Sequence, residues 1–414
     1  MLAALAPGAS TVELPNRGED VLATRDAVAA LGARVDDRGK AIVVEGGRLL
    51  DPASTIDARN SGTTVRLLLG LCAGHGISAR FDGDDSLRRR PMERVAKPLR
   101  AVGANVETSD GRLPAVVRGV MNPPGGEFAL EIPSAQVKSA ILLANLAATG
   151  PVRITGDRHS RDHTERMLRH LGRDIAFDGR TIELRPGSLK AGRIRIPADL
   201  SGAAFFIVAA AITPGSELLL LEVGVNPTRT GFLDVMRAMG ADIVLEHERD
   251  LDGEPVADLR VHYHPLQAAA IDGDLVVRAI DEIPILAVAA AHATGTTRVR
   301  DAAESRERIR SHCGHCHHPS RLRRRRGGAS RRIRRDRRGR AASGSAAGDT
   351  WRSSHRDGDR SARGADRAAY HRRCPLQRRE LPRLLRTLEN RPELRLVLPS
   401  RSQDHRARQL RREV

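Results

Sequence analysis

The sequence predicts an α/β (α+β) protein built from one helix-bearing sheet unit used several times, and three observations carry that expectation. The chain has 414 residues, 40% of them hydrophobic, enough to bury at least two cores. Four segments close an amphipathic helix on an apolar residue and a glycine and then enter a strand, at Gly32, Gly103, Gly172 and Gly240. Four short polar clusters stand in front of apolar helices, in step with those junctions.

Composition divides the chain before it describes it. The formal charge of +18 arises almost wholly in residues 305–414, which hold 33 Arg, no Lys and 11 acidic residues. The preceding 304 residues hold 36 basic and 40 acidic residues, a net of −4, so the body is slightly acidic and the overall charge says nothing about its partners. Four cysteines, three of them in the tail, give no disulfide framework. No stretch reads as a signal peptide or as a membrane span of about 20 apolar residues, so a cytoplasmic location away from membranes is expected. The opening MLAALA reads as the end of a buried helix.

The junctions are AVAALGARV, LRAVGANV, LRHLGRDI and MRAMGADI, with their glycines 71, 69 and 68 residues apart. Glycine after the last helical turn tolerates the left-handed cap conformation, and the Val or Ile that follows starts a strand. One such junction is commonplace; four at a nearly constant period indicate a repeated unit.

The polar clusters are NSGTT at residues 60–64 before VRLLLGLCA, SAQ at 134–136 before VKSAILLANLA, SG at 201–202 before AAFFIVAAA, and DEIP at 281–284 before ILAVAAA. Each alone reads as a helix cap, because these side chains satisfy the free N–H groups of a first turn. Four in phase would also concentrate positive helix dipole on an anionic ligand.

The string DGDDSLRRRPMERVAKPLRAVGANV carries a Gly-Asp-x-Ser-Leu-x-x-Arg-Pro-Met type of signature, and NPTRTGFLDVMRAMGADI, IDEIPILAVAAAHATGTTRVRDAAE, NSGTTVRLLLG, IPSAQVKSAILLANLAA and SRDHTERML accompany it. In this order over roughly residues 1–304, they resemble the enolpyruvyl transferase family on its shikimate branch. The branch acting on UDP-N-acetylglucosamine is the alternative within the family. The resemblance implies transfer of a carboxyvinyl group from phosphoenolpyruvate to the 5-hydroxyl of shikimate 3-phosphate through a tetrahedral intermediate, with release of phosphate and without metal or organic cofactor. It implies a monomer with a two-lobed inside-out α/β barrel, each lobe a threefold repeat, that closes on its substrates. The first lobe would span residues 1–197 without its opening strand, residues 198–304 would form an incomplete second lobe, and 305–414 would be a disordered Arg-rich tail.

Site residues follow from the same resemblance. Arg90 resembles the arginine that grips phosphoenolpyruvate, whereas Arg88 and Arg89 read as solvated neighbours. Asn60 and Gly62 resemble the loop that approaches phosphoenolpyruvate by backbone contact, and Gln136 resembles a ligand to both substrates. Ser134, Ser160 and Arg161 resemble contacts to shikimate 3-phosphate, with Ala135 standing where some members carry a hydroxyl. Asp281 resembles the aspartate that takes the 5-hydroxyl proton; its alternative is an N-cap. Glu282 and His163 receive no role, and no metal ligands are expected.

Two family segments have no counterpart. The Pro-Gly-Asp-Lys-Ser-x-x-x-Arg loop would precede Met1, and after Glu304 the apolar periodicity stops where a Lys-Glu-Ser-Asp-Arg motif and a fifth glycine junction would follow. Arg without Lys, with abundant Ala, Gly, Ser and His, is what GC-rich DNA yields out of frame, so the tail reads as a shifted frame and the chain as written is expected to be catalytically impaired. Within it, His312-Cys313-Gly314-His315-Cys316-His317-His318 has haem- or zinc-like spacing but lacks a second ligand set, leaving adventitious metal binding as the expectation. Asp404-His405-Arg406 spells a family tripeptide outside its context and reads as chance. A basic nucleic-acid-binding protein using the tail is the alternative of another class; steeply salt-dependent DNA binding lost on truncation after Glu304 would mark it. No specific nucleic-acid partner is expected otherwise.

Overall fold

A computed structural model describes residues 1–157, 160–300 and 394–397. The chain opens with α1 (Leu2–Leu5), β1 (Gly8–Glu13), α2 (Glu19–Ala30) and the hairpin β2 (Arg34–Asp37) and β3 (Ala41–Gly46). A second round comprises β4 (Ile56–Asp57), α3 (Gly62–Gly74), β5 (Ser78–Asp82), α4 (Asp85–Arg88), α5 (Glu93–Ala101) and the hairpin β6 (Asn105–Ser109) and β7 (Arg112–Arg118). The third has β8 (Gly126–Ala129), α6 (Ala135–Ala144), β9 (Val152–Thr155), α7 (His163–His170) and the hairpin β10 (Ile175–Phe177) and β11 (Ile182–Leu184), followed by β12 (Arg193–Arg195). Beyond it lie α8 (Leu200–Ile212), β13 (Glu217–Gly224), α9 (Gly231–Ala238), β14 (Asp242–Leu251) and β15 (Glu254–His262). Then come β16 (Ala270–Ile271), α10 (Asp274–Arg278), α11 (Ile283–His292), β17 (Arg298–Val299) and, far along the chain, β18 (Leu394–Val397).

Three sheets share one strand order: β12-β1-β3-β2, β4-β5-β7-β6 and β8-β9-β11-β10. In each, the outer strand runs parallel to its neighbour and the other pairs are antiparallel. A helix must cross over between parallel neighbours, which is the work of α3 and α6. The repeat expected from the glycine spacing is therefore real. All four junction glycines have positive φ, +98°, +108°, +84° and +83°. Past three of them the N–H of Ala33, Arg173 and Ala241 reaches the carbonyl of Val28, Leu168 and Met236 at 3.1, 2.9 and 2.9 Å, the six-to-one closure that a left-handed cap permits.

The fourth sheet, β18-β13-β15-β14, keeps the same order, but its outer strand β18 is antiparallel. Strands β16 and β17 pair in parallel on either side of α10 and α11, the beginning of one more unit. The fold is mixed α/β as expected, with α3 and α6 the most deeply buried helices, and among the described residues no ladder joins the sheets into a continuous barrel.

Two apolar cores form, one drawn from Leu2 to Ile194 and the other from Leu200 to Ala289. At the centre of the first, Gly70 and Gly74 of α3 face Ala140 and Ala144 of α6; a Cβ on either glycine would overlap an alanine carbonyl oxygen. The expected disorder of the tail, the cysteine and histidine cluster at 312–318 and the tripeptide at 404–406 lie outside the described residues. The one described piece of that region is β18.

Candidate active site

The apolar helices α3, α6, α8 and α11 begin at the four polar clusters, but the capping differs at each. Ser61 caps α3 by accepting from Thr64 N–H, so Asn60 is left to other partners. Asn60 donates to Asp84 Oδ2 at 2.6 Å and accepts from Arg90 Nη2 at 2.6 Å. Burial pushes the Asp84 carboxyl up, but hydrogen bonds from Asn60 and the backbone hold it below its ordinary value. Asn60, Gly62, Arg90 and Gln136 line one cavity of about 330 Å³ with Glu19, Asp20 and Arg66. Gly62 lets both arginines come close: a Cβ there would stand 2.6 Å from Arg66 Nη1 and 3.4 Å from Arg90 Nη1 and would move those side-chain ends. Gln136 closes the floor, accepting from Arg66 Nη1 at 2.9 Å and donating to Thr63 Oγ1 at 3.0 Å. Two guanidinium groups at a helix N-terminus suit an anion.

Ser134 is the N-cap residue of α6, yet its hydroxyl does not cap the helix. Ser160 Oγ is buried without a hydrogen-bond partner among the described residues, on the wall of a neighbouring cavity of about 230 Å³. Arg161 pairs with Asp281, 120 residues away, and both side chains are about one-third exposed. Asp281 is not an N-cap: Glu282 occupies that position of α11, without a side-chain cap bond. At α8 the cap is Asp199, which accepts from the N–H groups of Ser201 and Gly202, so the SG pair lies inside the helix rather than before it.

Four buried or paired charged side chains near these residues were not singled out by sequence reasoning. Arg66 is buried on α3, Lys138 is buried on α6, Arg229 donates to Ser201 Oγ at 2.5 Å, and Glu282 is buried and accepts from Ser201. Burial pushes the Glu282 carboxyl up against the opposing pull of Ser201 and Arg229. Burial and the neighbouring Arg161 lower Arg229. A signal for the first two was present, because a charge inside an otherwise apolar helix must find partners or a ligand. His163 packs against Glu254, Nδ1 to Oε1 2.8 Å. Arg88 forms an exposed pair with Asp82, in keeping with its reading as a solvated neighbour.

The family model for EPSP synthase (3-phosphoshikimate 1-carboxyvinyltransferase) matches residues 1–324. The chain belongs to the EPSP synthase family. Its members transfer the carboxyvinyl group of phosphoenolpyruvate to shikimate 3-phosphate in aromatic amino acid biosynthesis. The chain is 49% identical over 314 residues to 3-phosphoshikimate 1-carboxyvinyltransferase of Gloeobacter violaceus, covering 74% of this chain and 72% of that one. The enzyme of Geobacillus thermodenitrificans is 46% identical over 310 residues, at 73% and 72% coverage. A solved EPSP synthase from Acinetobacter baumannii superposes with a TM-score of 0.69 at 42% identity, covering 76% of this chain and 73% of that one. These matches favour the transferase reading over a nucleic-acid-binding one. Among the described residues no helix is long and apolar enough to cross a membrane.

Proposed function

We propose that the 330 Å³ cavity receives phosphoenolpyruvate, with Asn60, Gly62, Arg90 and Gln136 as its contacts, and that Ser134, Gln136, Ser160 and Arg161 hold shikimate 3-phosphate beside it. The observation that carries this reading is the convergence of Arg66, Arg90 and the α3 N-terminus on one cavity whose floor, Gln136, belongs to the next repeat. Asp281 accepts the proton of the 5-hydroxyl as that oxygen bonds to the enol carbon and the methylene carbon takes up a proton from an acid; the tetrahedral adduct then loses phosphate and a methyl proton, which restores the double bond. Arg161 and Asp281 form an ion pair that neutralises both. The 3-phosphate takes over the guanidinium, and the carboxylate is released to act as base. A lobe boundary near residue 197, a cytoplasmic location and a monomeric state belong to the same proposal. So does impaired turnover, since more than a quarter of each relative's length has no match in this chain.

Binding is therefore the decisive readout. Calorimetric titration of the full chain should show Arg161→Ala weakening shikimate 3-phosphate, and Arg90→Ala weakening phosphoenolpyruvate, each by about 10- to 100-fold, the worth of a charge-assisted hydrogen bond. Unchanged affinities in both variants would sink the assignment. Phosphate release at the rate of an intact family member would refute impaired turnover.

A further inference from the structure

Lys138 is the fourth residue of α6, and its side chain is 1% exposed. Its ammonium lies 2.8 Å from Asp157 Oδ2 and 2.7 Å from Glu165 Oε1, the latter an ion-pair contact off the hydrogen-bonding direction. It also donates to the Ser160 carbonyl at 3.3 Å. Asp157 Oδ1 in turn accepts from Ser160 N–H at 3.4 Å. Beside this triad, Ser139 and Thr164 hydroxyls meet at 2.7 Å, a second link between α6 and α7. One buried cation thus ties together three pieces of chain: the start of α6 with Ser134 and Gln136, the turn that carries Ser160 and Arg161, and the first turn of α7.

A buried ion triad is a poor way to gain stability, since desolvation offsets most of the attraction and an apolar replacement of equal volume often serves better. Its value lies in fixing geometry. We infer that Lys138 is a positioning residue for shikimate 3-phosphate: it sets the distance between the α6 N-terminus and the Ser160–Arg161 turn, and so the shape of the phosphate grip. With its side chain 1% exposed and its ammonium held by Asp157 and Glu165, Lys138 acts through Ser160 and Arg161. The inference rests on the assignment of that grip under Proposed function.

The test compares Lys138→Met, Arg161→Ala and the double variant in the full chain by calorimetry with shikimate 3-phosphate and, separately, phosphoenolpyruvate. Lys138→Met is expected to weaken shikimate 3-phosphate by about tenfold while phosphoenolpyruvate affinity stays within about twofold, the size of effect that a sub-ångström misplacement produces. The double variant should lose less than the sum of the two single losses, because both changes act through one segment. Normal affinity in Lys138→Met with loss in Arg161→Ala overturns the inference and leaves the substrate assignment standing. Normal affinity in both overturns the assignment and the inference with it. Equal loss for both substrates, or additive losses in the double variant, reduces Lys138 to a structural residue and also overturns the inference. Should Lys138→Met lose its cooperative unfolding transition, Asp157→Asn replaces it with the same expected pattern, at about threefold.

Discussion

The two cores are made from the same unit and differ in how fully it is surrounded. In the first, α6 buries eight of its ten residues and α3 eleven of thirteen, with three four-stranded sheets around them. In the second, α11 is as apolar in sequence but buries only Leu286 and Ala289, and α8 leaves Phe205 44% exposed. The described residues give that core one four-stranded sheet and a two-stranded fragment. Helix apolarity in this fold is written for a threefold surround, so it is a property of the repeat and not of the burial each helix attains. Close packing then becomes the quantity that separates the cores, and substitutions that probe packing should separate them too.

The largest contrast is expected at glycines. A methyl at Gly74 would collide with the Ala144 carbonyl, a backbone atom that has no way to swing aside. Gly74→Ala should therefore cost about 3 kcal/mol or more, the upper range for overpacking a well-filled core. Gly202 on α8 meets only Asp199 Oδ2 at 3.6 Å, an ordinary contact. Gly202→Ala should be neutral or stabilising by about 0.5–1 kcal/mol, the helical preference of alanine over glycine. Urea unfolding of the two variants checks both signs. Equal destabilisation would mean that the second core is packed as tightly as the first.

The glycine period made the repeat legible, because a left-handed cap leaves a residue-specific mark at Gly32, Gly103, Gly172 and Gly240. Of the residues that the resemblance points to, Asn60, Gly62 and Gln136 stand at the starts of α3 and α6, where sequence and geometry are tightly bound, whereas Arg90 lies in the short link between α4 and α5. Strand closure was not legible, since β12 pairs with β1 across some 180 residues and nothing local announces it. Nor was the pairing of Arg161 with Asp281, which joins side chains from elements packed around different cores. Lys138 and Arg66 were visible as charges in apolar helices, but their partners come from other segments. Ser134 and Asp281 show the limit of capping rules: both stand where a cap is favoured, and neither side chain closes its helix.

Polar contacts, rather than shared apolar core, join the two halves. Asn226 donates across the seam to Asp162 at 2.6 Å and Arg166 to the Gly253 carbonyl at 3.2 Å, while Asn226 also donates to Glu254 at 3.2 Å and Arg166 to Asp162 at 2.9 Å within their own halves. Burial raises the Asp162 carboxyl, but the bonds from Arg166 and Asn226 outweigh it and hold it below its ordinary 3.8. A carboxyl depressed on folding stabilises above its unfolded value, and that contribution is lost as pH falls through its folded value. Asp162→Asn should thus cost about 1 kcal/mol at neutral pH, the worth of a hydrogen bond to a charged group in a half-open seam, and the gap to the unaltered chain should close below pH 3.8. A gap independent of pH would show that the carboxylate charge contributes nothing to the seam.

The smallest effect is expected where the second core is open. Phe205 projects from α8 with 44% of its surface exposed, whereas Leu142 at the middle of α6 is fully buried. Leu142→Ala removes packed methyl groups and leaves a cavity, a loss of about 3 kcal/mol. Phe205→Ser exchanges a ring with 44% of its surface exposed for a small polar group, a loss of about 1 kcal/mol. Thermal unfolding of the two variants side by side measures the ratio directly. A shift for Phe205→Ser well below that for Leu142→Ala confirms that this face of α8 is only partly covered. A loss approaching that of Leu142→Ala would mean that the face is covered in solution, and the contrast between the two cores would then be one of strand pairing alone.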